Sequence, residues 1–155
     1  MLVEKTKCVN VWDPLFQTMK KLRIYFLVVD IGFLVYWLVT ALHLLPKNYL
    51  YSDYENPIVV AWNWSFMPLD ILISITGLTA IFLWKKRDSR WERLALLSLA
   101  LTSASGFQAI SYWVFRREFD LTWWTPNLFL LIYPWFFIPH IIGNKINNEK
   151  YRNAA

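Results

Sequence analysis

Two carboxylates stand inside apolar runs of this chain: Asp30 in FLVVDIGFLVYWLV and Asp70 in WSFMPLDILISI. An Asp near the centre of a lipid-spanning helix costs about 2.5–3.5 kcal/mol on insertion scales, so each is expected to face the protein interior, a partner or water. Three chemistries suit such groups. The plain one is structural: each acid accepts hydrogen bonds from neighbouring hydroxyls and holds helices together. The second is catalytic. Asp70 in its protonated form would donate a proton to an alkene or epoxide, and Asp30 would be a second proton-transfer group. Asn63 or Gln108 would orient Asp70, and aromatic faces would stabilise the cation. The third is a stepped path for a proton or a cationic substrate.

The elements that carry these acids are long and apolar. In 155 residues the hydrophobic share is 57 % and the charged share 17 %, against about 45–50 % and about 25 % in soluble domains. Four stretches stand out, at about 22–44, 59–84, 94–115 and 124–142, with residues 1–21 as an amino-terminal segment and 143–155 as a tail. Each is near the ~20 residues that cross a ~30 Å hydrocarbon core. Barrel strands would be half as long and would alternate. A soluble bundle needs a polar stripe on every helix, and the first stretch has none. The expected class is all-α, a polytopic membrane protein built as an antiparallel four-helix transmembrane bundle. Pro126 is expected in the first turn of the fourth helix.

Charge orients the bundle. Of the 16 Lys and Arg, thirteen fall on one side: Lys5, Lys7, Lys20, Lys21 and Arg23, the loop Lys85–Arg93, and Lys145, Lys150 and Arg152. Lys47, Arg116 and Arg117 fall on the other. The positive-inside rule then puts both termini in the cytoplasm of a cell-membrane, multi-pass protein. The net charge of +5 is explained by lipid headgroups and topology rather than nucleic acid. The first twenty residues, with Glu4 and Asp13, do not read as a cleavable signal peptide.

Counting 1.5 Å per residue gives depths. Asp30 and Tyr133 lie about 12–13 Å above the inner face, and Asp70, Gln108 and Tyr36 about 21 Å. Two polar layers are therefore expected: Asp70 with Gln108 and Tyr36, and Asp30 with Tyr133. On the second helix Asn63, Met67, Asp70, Ser74 and Gly77 share one face; on the third, Ser98, Thr102, Ser105, Ala109 and Tyr112 do. Both stripes suit interior faces, where small residues permit close approach. The ligand-like place is the outer half, with Asn63, Trp62, Trp64, Gln108, Tyr112 and Tyr36 around Asp70, and Tyr133 below. Trp12, Trp84, Trp91, Trp123 and Trp124 suit headgroup anchoring.

Metal and covalent chemistry find little support. His43 and His140 fall on opposite sides of the membrane by rise, and Cys8 is alone. Nucleophile-elbow, P-loop and dinucleotide signatures are absent, so no cofactor and no metal are expected.

The segments DIGFLVYWLVTALHLLP, NPIVVAWNWSFMPLDILISITGL, SGFQAISYW and DLTWWTPNLFLLIYPWFF resemble the small YvaD-like membrane proteins of Bacillus and its relatives over most of residues 24–138. The resemblance implies a four-helix membrane protein and supplies no mechanism. The function expected is binding of a small apolar or amphipathic molecule in an intramembrane polar and aromatic pocket. An isomerase or cyclase, and a small transporter or accessory subunit, are the alternatives. Membrane lipid is the expected partner, with room for a second copy or another membrane protein.

Overall fold

The computed structural model describes residues 12–44 and 53–153, with side chains described for 17–44 and 53–143. Glu4, Lys5, Lys7, Cys8, Pro46, Lys47, Tyr49 and Tyr51 lie outside the described residues, as do the side chains of Trp12, Asp13, Lys145, Lys150 and Arg152. The described residues form six helices: α1 (Trp12–Ala41), α2 (Pro57–Trp64), α3 (Met67–Lys85), α4 (Arg90–Arg116), α5 (Leu121–Ile132) and α6 (Pro134–Asn153). They make four membrane-length spans, Gln17–Ala41, Pro57–Lys85, Arg90–Arg116 and Leu121–Gly143.

Proline sets the two interruptions. Pro68 opens α3 and Pro134 opens α6, and a proline nitrogen cannot donate to the preceding turn. The second expected helix is therefore two, parted at Ser65 and Phe66, where the Ser65 hydroxyl donates to the Trp62 carbonyl at 2.6 Å. The fourth is parted at Tyr133. Pro126 is not in a first turn as expected. Asp120 accepts from the Thr122 amide at 2.8 Å and starts the helix at Leu121, so Pro126 lies well inside α5. α1 starts ten residues before Leu22 and stops at Ala41 rather than at Leu44.

Three helix ends share one device without glycine. His43, Arg87 and Arg117 adopt left-handed φ of 53°, 55° and 57°. At each, the next amide returns to a carbonyl five residues earlier: Leu44 to Val39, Asp88 to Leu83 and Glu118 to Trp113, at 3.0–3.1 Å. These are Schellman closures, which satisfy carbonyls that the helix end would leave free.

α3 packs on both α1 and α4; α5 and α6 pack on α4, and α6 also meets α1. Met19, Leu22, Phe26 and Val29 on α1 form a core with Ala80, Ile81 and Trp84 on α3, Trp91, Ala95 and Leu99 on α4, and Ile141 on α6. Trp84 and Trp91 are thus core residues, not the headgroup anchors expected. The opposite face of α1, with Ile24, Val28, Ile31, Val35 and Leu38, is exposed, as a lipid-facing surface is. The chain is a multi-pass membrane protein with an all-helical, four-span bundle. Two glycines allow close approach. A Cβ on Gly106 would lie 2.6 Å from both the Asn127 oxygen and the Leu131 nitrogen of α5. One on Gly77 would run into the Asp30 carboxyl.

Candidate functional site: an aromatic cavity over a buried aspartate

Asp70 sits in the first turn of α3, just past the break with α2, and is buried. The break makes α2 and α3 separate supports: Asn63 comes from one and Asp70 from the other. Each Asp70 oxygen accepts one hydrogen bond, Oδ2 from Trp37 Nε1 at 2.9 Å and Oδ1 from Ser105 Oγ at 3.1 Å. The acid therefore ties α1, α3 and α4 together. A carboxylate has about four acceptor sites, so one lone pair on each oxygen remains for a guest.

Above it lies a cavity of about 370 Å³. Phe33, Tyr36 and Trp37 of α1 wall one side, and Trp62, Asn63 and Phe66 another. Ser105, Ala109 and Trp113 of α4 form the back, and Trp123, Pro126 and Asn127 of α5 complete the ring. This volume is at the small end of the ~300–1,000 Å³ of ligand pockets, which combine apolar walls with few polar groups. Asn63 is buried; its Oδ1 accepts from the Tyr36 hydroxyl at 3.3 Å, and its Nδ2 has no partner. The cavity thus offers an acceptor pair at Asp70 and a donor at Asn63. Tyr36 and Trp123 meet edge to face at 6.4 Å, linking α1 to α5.

Of the residues singled out from sequence, Asp70, Asn63, Trp62 and Tyr36 line this one cavity. Trp64 stands behind Trp37, ring centroids 5.5 Å apart. Tyr112 stacks on Trp62 at 3.8 Å and accepts from Arg116 at 3.2 Å, so it backs the wall. Gln108 does not join Asp70: it is exposed, and the place expected for it is taken by Ser105 and Trp37. Gln108, one turn along the helix from Ser105, turns to the exposed surface instead. Ser105 was legible on the small-residue stripe. Trp37, Trp113, Trp123 and Asn127 carried no signal beyond being aromatic or polar within a span.

Asp30 is a separate feature nearer the Trp84 end. It is fully buried, and neither carboxyl oxygen has a hydrogen-bond partner. Tyr133 is buried beside Thr102 and within electrostatic reach of Asp30. Ser74 connects the two acids: its hydroxyl is shared between the backbone carbonyls of Asp70 at 2.8 Å and Asp30 at 3.1 Å.

At the other end Arg116 closes the rim. It pairs with Asp53 at 3.1 Å and with Glu118 at 2.7 Å, and lies over Trp113 at 5.6 Å. Hydrogen bonds from Arg116 and then Asn56 hold the Asp53 carboxyl below its usual range. Among the described residues no group of three His, Cys, Asp or Glu could hold a metal ion.

Fold and site together define a polytopic membrane bundle with buried acids under an aromatic cavity. The chain belongs to a family described as a family of unknown function, DUF5360, matched over residues 22–148. It is 49 % identical over 120 residues to "Uncharacterized protein YvaD" of Bacillus subtilis (strain 168), covering 77 % of this chain and 90 % of that one, and is a YvaD-like protein. No solved structure matches it.

Proposed function

We propose that the aromatic cavity binds a small amphipathic molecule whose apolar part stacks on the rings and whose polar head carries an N–H or a cationic centre. The observation that supports this is the pairing of the cavity with Asp70, which keeps a lone pair on each oxygen while walled by Tyr36, Trp37, Trp62 and Trp113. Aromatic faces attract a cation, and a carboxylate attracts it further. The binding reading is preferred to an acid-catalysed isomerase because both Asp70 oxygens serve as acceptors.

The bundle is read as antiparallel, with the Asp53 and Arg116 end outside and both termini in the cytoplasm. Short connections at 86–89 and 117–120 and the thirteen-to-three distribution of Lys and Arg support this. Lipid covers the exposed apolar face of α1.

Native mass spectrometry of the detergent-purified protein should reveal a co-purified small molecule. Phenyltrimethylammonium, as a probe, should quench tryptophan fluorescence saturably in the wild type and bind about tenfold more weakly to Asp70→Asn, which keeps the rings and loses the opposite charge. A probe that quenches both alike, with no co-purified molecule, refutes the reading.

A further inference from the structure

The groups around Asp30 are unusual in what they offer. Ser98 Oγ donates to the Ile73 carbonyl at 3.3 Å, Thr102 Oγ1 to the Ser98 carbonyl at 2.8 Å, and Ser74 Oγ to two carbonyls. Their protons are spent on backbone, so they turn only lone pairs toward the interior. The carboxyl and the Ser98 hydroxyl converge over Gly77: a Cβ there would lie 2.9 Å from Asp30 Cγ and 3.0 Å from Ser98 Oγ. The Tyr133 hydroxyl, also buried, lies beside Thr102 and within electrostatic reach of Asp30. No described salt bridge reaches Asp30, and Arg23, two turns away on α1, lies over the Trp84 ring.

A buried, unpaired carboxylate facing lone pairs is costly, and a positive guest removes the cost. Oxygen ligands select a hard cation. One carboxylate balances a single positive charge, and a second would be needed for a divalent ion. Close packing over Gly77 favours a small ion. We infer that Asp30, with the hydroxyl oxygens of Ser98, Thr102 and Tyr133, forms a binding site for a sodium ion within the bundle. The site is distinct from the Asp70 cavity, and the shared Ser74 hydroxyl joins the two.

The test is thermal unfolding of the detergent-purified full chain in sodium, potassium or choline chloride at one ionic strength and one alkaline pH. Sodium should raise the midpoint saturably, as a ligand of the folded state does, beyond potassium and choline. Asp30→Asn should lose the sodium effect. Thr102→Val should need about tenfold more sodium, the loss of one ligand oxygen. If Asp30→Asn fails to fold, equilibrium binding of radiolabelled sodium to the wild type and to Thr102→Val decides. Unfolding that responds alike to the three salts, sodium stabilisation unchanged in Asp30→Asn or Thr102→Val, or no retained radiolabel overturns the assignment.

Discussion

Removing the Asp70 carboxylate tests the geometry that joins α1, α3 and α4. Trp37 Nε1 lies 2.9 Å from Oδ2, and both residues are buried. Replacing Trp37 with Phe removes the donor and some packing; replacing Asp70 with Leu removes the acceptor and fills its volume. In a double-mutant cycle the packing loss appears in both backgrounds and cancels, leaving the pair's coupling. Hydrogen bonds to a charged group contribute about 1.5–3 kcal/mol in water-soluble proteins. Within membranes the average is about 0.6 and the maximum about 1.7 kcal/mol, because the unfolded chain in detergent or lipid also finds partners. The 2.9 Å distance and burial place this pair toward the upper end, so a coupling of about 1–1.7 kcal/mol is expected. The assay is unfolding free energy in one detergent at one pH. Gln108→Leu supplies the control: it is exposed and not bonded to Asp70, so its losses should add to those of Asp70→Leu within about 0.5 kcal/mol. Additive losses for Trp37 and Asp70, or strong coupling between Gln108 and Asp70, would refute the geometry.

Gly106→Ala should destabilise by about 1–3 kcal/mol, since its Cβ would press on α5 backbone atoms that cannot turn aside. Gly32→Ala, with nothing within 4 Å, should instead gain about 0.4–1 kcal/mol, read in the same unfolding assay. Arg87→Gly should stabilise by relieving left-handed strain, which costs a non-glycine residue about 1–2 kcal/mol, less the greater freedom of glycine in the unfolded chain; a large loss would show that the Arg87 side chain contributes. For Asp53, whose carboxyl is held below its ordinary 3.8 by Arg116 and Asn56, the sign follows from linkage. The contribution is full above the ordinary value and disappears as pH falls through the lowered one. The stability difference between wild type and Asp53→Asn should therefore be constant above pH about 5 and shrink in acid, and should be smaller in high salt.

The apolar all-round pattern of the first stretch and three others of similar length determined a four-span membrane protein, because backbone in lipid has no partner but its own helix. Two stripes were legible in large part: Asn63 on α2 with Asp70, Ser74 and Gly77 on α3, and Ser98, Thr102, Ser105 and Ala109 on α4, are buried, while Met67 and Tyr112 of the same stripes are half-buried. A polar or small residue at 3–4 spacing can only face protein when the rest of the surface faces lipid. Partner choice lay outside that reach. Gln108 and Ser105 are one turn apart, and a small rotation of the helix selects which of them faces the interior. That rotation is set by Gly106 lying against the α5 backbone, a contact between residues far apart in sequence. The breaks at Ser65–Phe66 and at Tyr133 were signalled by Pro68 and Pro134, yet proline marks only a lost donor. Whether the helix bends, restarts or continues depends on what packs beside it. Here the restart at Met67 carries Asp70 to Trp37 and Ser105. Tertiary packing decided which residues became one cavity, since it alone fixes helix rotation and the close approach of distant backbones.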